Sequence, residues 1–241
     1  MRRLDAMVPA CPFGYRPRMN MLARPPVRLA VEVVFDLVCP WCWIGLRRLT
    51  RTLSLRPDLA ADLAFQPFLL NPDMPARGMA HADYIQRKFG GEDRARRLHA
   101  AIAEVGRAEG LTFRFERILR TPPTVDAHRL VRFAARDDRA AQVVEALFTA
   151  HFAEARDIGD RVTLVQIAVE TGLDAHGAAA FLASGEDTEA VLVENLRSHR
   201  LGINGVPCFV VAGRHAIAGA QEPEVLERLL DVAMMELAGA A

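Results

Sequence analysis

Two stretches early in the chain have the hydrophobic pattern of buried β-strands, and a helical pattern lies between them. Residues 31–36 carry successive β-branched and aromatic side chains, which are typical of a buried strand. After Pro40 the apolar residues recur at helical spacing, and residues 63–70 form a second apolar stretch, interrupted by Pro67 near an edge or bulge. This order predicts two parallel strands joined by a right-handed crossover.

Helical periodicity dominates the middle of the chain, from about residue 80 to about residue 200. The pattern predicts helices over residues 84–89, 94–108, 125–135, 140–154, 164–171, 175–183 and 188–201, with a brief extended segment at 111–115. Thr124, Thr163 and Asp174 are predicted N-caps, because their side-chain oxygens can accept hydrogen bonds from the first helical turn. We interpret residues 76–199 as an all-helical insertion.

The strand pattern resumes near the end of the chain. Residues 206–211 are largely apolar and predict a strand, a turn signal follows at 212–214, and residues 215–218 predict a second strand. The short turn between the two strands predicts an antiparallel hairpin. A final helix is predicted over residues 224–237, after Pro223. Residues 1–28 hold several prolines and arginines without periodicity, and we interpret them as a disordered extension.

Candidate chemistry lies where the first strand meets the first helix. Cys39 precedes Pro40 at the predicted helix start, where unpaired N–H groups and the helix dipole favour a thiolate. Cys42 follows three residues later on the same helical face and can close a disulfide with Cys39. Structural zinc needs four ligands, and no second close pair of ligands is present. The spacing therefore favours dithiol chemistry, with Cys39 as nucleophile and Cys42 as a more buried resolving thiol of higher pKa.

Four neighbours of the cysteines are further candidates. Pro40 and Trp41 separate the two thiols, so we expect them to tune the thiolate and to contact substrate. Asp36 ends the strand, and its carboxylate could accept a proton from Cys42, with a surface or loop-capping role as the alternative. Trp43 is expected to pack in the core.

The chain resembles a known family over roughly residues 30 to 236. The DsbA-like thioredoxin-fold oxidoreductases, and most of all their FrnE-type branch, have a motif similar to Cys39-Pro40-Trp41-Cys42-Trp43-Ile44-Gly45. Four later segments carry the same resemblance in order, namely Ala127–Leu130, Asp157–Asp160, Gly205–Pro207 and Ile217–Gln221. The resemblance implies an α/β, thioredoxin-like fold formed by residues 29–75 and 200–241, with the helical residues 76–199 inserted between them.

The resemblance also implies roles for particular residues. Val206 and Pro207 match the family's cis-proline segment, which faces the dithiol and presents backbone groups to substrate; proline lowers the cost of a cis bond from ~3 to ~1 kcal/mol. His128 matches a helical segment over the active-site side, where substrate contact competes with a structural role. Gln221 lies in a loop that resembles the family's substrate rim.

Composition and hydrophobic pattern limit the classes of partner and the cellular compartment that we expect for this protein. Lys and Arg together number 30, as do Asp and Glu, so the formal net charge is zero and nothing favours nucleic acid as a partner. Since no apolar run reaches the ~20 residues of a membrane helix and no signal-peptide pattern is visible, we expect a cytoplasmic protein without membrane association. Of the other cysteines, Cys11 is expected to be incidental and Cys208 a buried free thiol, with a third redox thiol as the alternative.

The leading hypothesis is exchange with a disulfide- or thiol-containing protein or small molecule, with no cofactor beyond the dithiol, no metal, and glutathione as a potential co-substrate. The alternative is a glutathione-dependent isomerase or transferase, because 2-hydroxychromene-2-carboxylate isomerases and kappa-class glutathione transferases resemble this chain over the same length. Those enzymes usually carry serine at the catalytic position and lack the resolving cysteine, which argues against them.

A third hypothesis is a peptide-binding module whose thiols are only redox-sensed, and a homodimer is left open. One set of arginines in the insertion is expected to be solvated, with selection of an acidic small molecule as the alternative. The members of this set are Arg87, Arg94, Arg96, Arg97 and Arg129.

Overall fold

The computed structural model describes residues 26–239, and a four-stranded mixed sheet lies at its centre. Strand β1 (Val27–Phe35) lies between β2 (Leu59–Pro67), which is parallel to it, and β5 (Cys208–Val211), which is antiparallel. Strand β6 (His215–Ala218) pairs with β5 as the second half of a hairpin. The predicted parallel pair and the predicted hairpin are both confirmed.

Helices cover this sheet and make up most of the middle of the chain. Helix α1 (Pro40–Ser54) connects β1 to β2 and packs against the last helix, α9 (Pro223–Gly239). The helical block between β2 and β5 contains α2 (His81–Phe89), α3 (Glu92–Ala108), α4 (Val125–Ala135), α5 (Ala140–Phe148), α6 (Arg161–Glu170), α7 (Ala175–Ala183) and α8 (Thr188–Arg200). It also contains two short antiparallel strands, β3 (Met79–Ala80) and β4 (Arg120–Thr121), so the expectation of an all-helical insertion is wrong in this detail.

One hydrophobic core joins the sheet, α1 and the helical block. Trp43 on α1 stacks with Phe148 and with Phe152, each at a centroid distance of 6.1 Å. Its indole N–H donates to Glu145 Oε2 at 3.1 Å. The predicted packing role of Trp43 is confirmed, and the helical block is held directly against the helix that carries the two cysteines.

Strand β2 ends earlier than the hydrophobic pattern predicted. It stops at Pro67 instead of running over residues 63–70, and it pairs with β1 along its whole length. Beyond Pro67 the Leu70 N–H donates to Asp36 Oδ2 at 2.8 Å. A side chain thus takes a hydrogen bond that a longer strand would have given to the sheet.

Strand β1 begins earlier than predicted, so the boundary placed at residue 28 is late. The strand starts at Val27, whose N–H donates to the carbonyl of Asp58 at 2.8 Å, and Val27 is in register with Leu59. Residues 1–25, which include Cys11, lie outside the described residues. Within the described range, no helix is both long enough and apolar enough to cross a bilayer.

Helix caps follow the side chain that reaches the first turn. Asp160 caps α6 by accepting the Thr163 N–H at 3.0 Å, so the predicted cap at Thr163 is wrong by one turn. The cap at Asp174 is confirmed, since its carboxylate accepts the Gly177 N–H at 2.5 Å. Thr124 precedes α4 but makes no side-chain capping bond.

Two further segments differ from the prediction. Residues 111–115 form a loop that leads into a 3-10 turn at Phe115–Arg117 rather than an extended segment, and the Arg114 N–H donates to the carbonyl of Phe152, not to a strand. Helix α5 ends at Phe148, and the chain continues to residue 153 as a π-helical turn.

Arg129 is buried, so its grouping with solvated or ligand-selecting arginines is wrong. It is 1% exposed, and its guanidinium donates to the carbonyls of Phe181 at 2.7 Å and Glu186 at 2.6 Å. It also pairs with Asp126 at 2.6 Å. Arg129 therefore joins α4 to the end of α7 by satisfying carbonyl groups that the helix itself leaves free.

Candidate active site

The two cysteines lie where β1 turns into α1. Cys39 has an extended backbone, with φ −99° and ψ 109°, and Pro40 begins the helix. The Cys39 N–H donates to the carbonyl of Asp36 at 3.1 Å, and the Cys42 N–H donates to the carbonyl of Cys39 at 3.0 Å. The predicted helix start is confirmed, and Cys39 is at the end of α1 where the helix dipole favours negative charge.

Cys42 is the more deeply buried of the two thiols, at 1% exposure against 6% for Cys39. Burial raises the pKa of the Cys42 thiol well above its ordinary value, and hydrogen bonding and charge from Cys39 raise it further. The charge of Asp36 adds to the rise, while a hydrogen bond from the Asp36 backbone opposes it. At neutral pH Cys42 is therefore a protonated thiol, as expected for the buried member of the pair.

The Val206–Pro207 segment lies beside the dithiol. Its peptide bond is cis, as the sequence predicted. The Cys39 thiol donates to the carbonyl of Val206, with Sγ and O 3.6 Å apart. The Cys39 sulfur is therefore in contact with the backbone of this segment.

A glycine on α1 permits this close approach. A Cβ atom at Gly45 would lie 2.8 Å from Pro207 Cγ, 3.1 Å from Phe209 Cζ and 3.3 Å from Ala220 Cα. Interiors are close-packed, so a methyl group has no room there unless the segment moves. The glycine at the end of the Cys39–Gly45 motif thus has a physical reason that the sequence analysis left out.

A buried arginine strengthens the same contact further along α1. Arg48 is 6% exposed, and it donates to the carbonyl of Ala220 at 2.8 Å. Its guanidinium also pairs with Glu109, next to the end of α3, at 2.8 Å and with Glu222 at 2.8 Å. Arg48 therefore ties the loop before α9 and the end of α3 to the helix that carries the cysteines.

Asp36 lies fully buried behind the dithiol. Its Oδ2 accepts the Leu70 N–H, while its Oδ1 lies 3.4 Å from Nε2 of His128 and has no hydrogen-bond partner. His128 is 2% exposed and packs edge-on against Phe35 at a centroid distance of 5.0 Å. These positions exclude a surface role for Asp36 and argue against the predicted direct contact of His128 with substrate.

Tyr84 on α2 is a site residue that the sequence analysis did not single out. Burial raises the pKa of its phenol, and the charges of Asp36 and Cys39 raise it further, so the phenol lies near both. A groove of about 290 Å³ passes Tyr84 and is lined by residues 70–74, Met79 and the helix positions 87 and 88. The hydrophobic pattern carried no signal for this residue, because its neighbours come from distant segments.

The remaining predicted residues are partly exposed or lie away from the dithiol. Pro40 and Trp41 are half-buried, and the partly exposed Gln221 donates to the carbonyl of Ala218 at 2.6 Å. Cys208 is 3% exposed on the other side of the sheet, where burial raises its pKa, as expected of a buried free thiol. Among residues 26–239, no three His, Cys, Asp or Glu side chains gather as metal ligands.

A family model described as a DSBA-like thioredoxin domain matches residues 30–231. The chain therefore belongs to the DsbA-like thioredoxin-domain family, as the resemblance implied, and the α/β thioredoxin-like fold with a helical insertion is confirmed. The uncharacterized protein YwbO of Bacillus subtilis strain 168 is 24% identical over 203 residues, which cover 83% of this chain and 94% of that protein.

Solved structures share the fold. A probable DsbA oxidoreductase from Streptomyces coelicolor has a TM-score of 0.78 and 28% identity, and the match covers 86% of this chain and 91% of that one. The cytosolic disulfide reductase DsbM of Pseudomonas aeruginosa, solved with GSH, has a TM-score of 0.63 and 20% identity, over 86% of this chain and 99% of that one. The family match and the first of these likenesses define the chain as a disulfide oxidoreductase or a related enzyme.

Gly45→Ala tests the packing of α1 against the Val206–Pro207 segment. The added methyl group must displace Pro207, so we expect the free energy of unfolding in urea to fall by about 1–3 kcal/mol. Gly239→Ala makes the same change on α9, where nothing lies within 4 Å, and should not destabilise the protein. Similar effects of the two variants would contradict the close packing at Gly45.

Pulse alkylation tests the difference between the thiols. With reduced protein near neutral pH, we expect iodoacetamide to label Cys39 well before Cys42 and Cys208, because a raised pKa lowers the thiolate fraction of the latter two. Peptide mass spectrometry would assign each label, and labelling of Cys42 should appear as the pH becomes alkaline. Unfolding in urea removes the burial of the thiols and should abolish the difference between their labelling rates. Equal labelling rates in the folded protein would disprove the predicted difference between the thiols.

Proposed function

We propose that this chain catalyses thiol–disulfide exchange, with Cys39 as nucleophile and Cys42 as resolving thiol. The supporting observation is the position of Cys39 at a helix start, 3.6 Å from the Val206 carbonyl and with Cys42 buried beside it. The attacking form of a cysteine is its thiolate, which a helix start favours. The Cys39–Gly45 motif supports placement within the FrnE-type branch of the family.

In the first step the Cys39 thiolate attacks one sulfur of a substrate disulfide. A bond forms between Cys39 and that sulfur, the substrate S–S bond breaks, and the other substrate sulfur leaves as a thiolate that takes up a proton. Val206 and Pro207 would contact the bound substrate on one side. Pro40, Trp41 and Gln221 are the proposed contacts at the rim.

In the second step Cys42 resolves the mixed disulfide. Its thiol loses a proton, its sulfur attacks Cys39, the bond between Cys39 and substrate breaks, and the remaining substrate sulfur leaves as a thiolate. Two electrons thus pass from the dithiol to the substrate, and the reverse sequence oxidises a substrate dithiol. Because the raised pKa of Cys42 opposes loss of its proton, the step needs a base.

Asp36 is the proposed base. It is a buried carboxylate whose charge already acts on Cys42, and its Oδ1 is free of hydrogen bonds. Nε2 of His128 lies 3.4 Å from that oxygen, and we propose His128 as a positioning residue that orients the Asp36 carboxylate and shares the proton that the carboxylate takes from Cys42. This replaces the substrate contact that the sequence suggested for His128.

The groove beside Tyr84 is the proposed substrate path. Its volume of about 290 Å³ suits a peptide segment or a small disulfide, and its lining includes the charged residues Arg87, Lys88 and Asp73. Glutathione is a candidate co-substrate, since DsbM, which shares the fold, was solved with GSH.

A glutathione-dependent isomerase or transferase is the alternative activity. Such a reaction has no use for a resolving thiol, so the presence of the buried Cys42 three residues after Cys39 argues against it. The cytoplasmic location and the homodimer stay predictions.

Cys42→Ser tests the exchange reaction directly. Serine cannot resolve the mixed disulfide, so we expect the reduced variant to accumulate a covalent adduct with insulin, approaching one per chain by intact mass, while insulin reduction nearly stops. Cys39→Ser should form no adduct at that site and show no turnover, and Cys208→Ser should behave as the parent protein. Glutathione-dependent isomerisation that survives in Cys39→Ser would instead favour the alternative.

Asp36→Asn tests the proposed base. The amide keeps an acceptor for the Leu70 N–H but cannot take a proton, so the mixed disulfide should resolve about a hundredfold more slowly in rapid-mixing experiments, while the attack by Cys39 changes little. Asp93→Asn, at an exposed position of α3, is the matched control. His128→Gln should shift the pH profile of the resolution step, and unchanged resolution in Asp36→Asn would rule out the relay.

A further inference from the structure

A row of near-parallel rings leads away from the dithiol into the helical block. We call it the ring ladder and define it as Phe113, Phe115, His99, His81 and Tyr84. Successive planes differ by 11°, 13°, 15° and 21°, and successive centroids lie 5.2, 4.1, 6.2 and 6.1 Å apart. One end of the row, Tyr84, is the residue whose phenol lies near Cys39.

The ring ladder borders a cavity of about 730 Å³ between α2 and α3. Four of its rings line this cavity, and small side chains on α3 leave the space open, namely Ala95, Ala100 and Ala103. None of the residues that line it belongs to the groove beside Tyr84. The cavity is therefore a separate site with the volume of an ordinary ligand pocket.

The protein leaves this space unfilled while it fixes the rings around it. No residue of α2 is buried, and Leu119 at the cavity is 81% exposed. On α3, a Cβ atom at Gly106 would lie 2.3 Å from the ring of Phe113, so the glycine allows that ring to lie flat against the helix. Rings held in place around a concave space that is open to solvent suit a bound molecule.

Two histidines are the polar rings of the cavity, whose lining also includes the polar residues Gln86, Glu92, Arg96 and Glu116. Burial lowers the pKa of both, and that of His99 to about 4, so both imidazoles are neutral at physiological pH. A neutral imidazole has one donor and one acceptor nitrogen. Nδ1 of His81 is 2.9 Å from Thr121 Oγ1, whereas its Nε2 has no hydrogen-bond partner.

We propose that this cavity binds a planar, uncharged aromatic molecule with a hydroxyl or carbonyl group, stacked on the ring ladder and hydrogen-bonded to His81 or His99. Flat rings gain from stacking beyond the area they bury, and neutral imidazoles suit an uncharged polar substituent. The site needs neither cysteine, so it stands independently of the exchange reaction.

Calorimetric titration of the reduced full-length chain with 2-naphthol tests the site. Decahydro-2-naphthol is the control ligand, because it has the same carbon skeleton and hydroxyl group without a flat π surface. We expect one 2-naphthol per chain, bound about tenfold more tightly than the control, which is the advantage that stacking provides. Equal affinities, or no binding of 2-naphthol, would overturn the proposal.

Matched variants place the ligand within the molecule. Ala100→Phe puts a ring into the cavity, and Ala101→Phe puts the same ring at the next position of α3, which is exposed and does not line the cavity. The first should weaken 2-naphthol binding by about tenfold or more, and the second should stay within about twofold of the parent. Equal losses in the two variants would contradict binding in this cavity.

Two further variants complete the test. His99→Leu keeps apolar bulk but removes a ring, so it should also weaken binding even if Ala100→Phe disturbs α3. Cys39→Ser should bind 2-naphthol as the parent does. Unchanged binding in His99→Leu, or lost binding in Cys39→Ser, would show that the ligand does not use the ring ladder.

Discussion

The site depends on how closely α1 can approach the Val206–Pro207 segment. Cys39 and Val206 are 167 positions apart in the sequence, and these two parts of the chain meet because Gly45 presents no side chain at the crossing. Arg48 then fixes the neighbouring loop by donating to a backbone carbonyl and pairing with buried Glu109. A bulkier residue at the crossing would separate Cys39 from the backbone that lies beside it, without changing either element.

Burial sets the second constraint, because it raises the pKa of Cys42 and so makes the two thiols differ in reactivity. Cys42 is held as a protonated thiol behind Cys39, and the buried Asp36 is the base that we propose for its proton. The helical block is essential to this arrangement: His128 faces Asp36, and Tyr84 lies near Cys39. Since the block shares one core with the sheet, it forms part of the site rather than an appendage.

The sequence by itself determined the local features. The order of β1, α1 and β2, the hairpin, the helix start at Cys39 and the bounds of α4 were predicted closely, because each depends on periodicity or on residues a few positions apart. The cis bond before Pro207 was inferred from the family resemblance, together with the reduced cost of cis proline. At the end of β2, where the prediction failed, a distant side chain had taken the backbone hydrogen bond.

The tertiary structure alone decided which charged and aromatic residues are buried, and beside what. In a helical pattern Arg48 and Arg129 look like surface residues, and only the carbonyls and carboxylates brought to them by other segments make their burial stable. Tyr84 likewise has no local signal for its place near Cys39. The physical reason is that periodicity reports which face of an element is apolar, whereas desolvation, ion pairing and close backbone approach depend on partners far away in the chain.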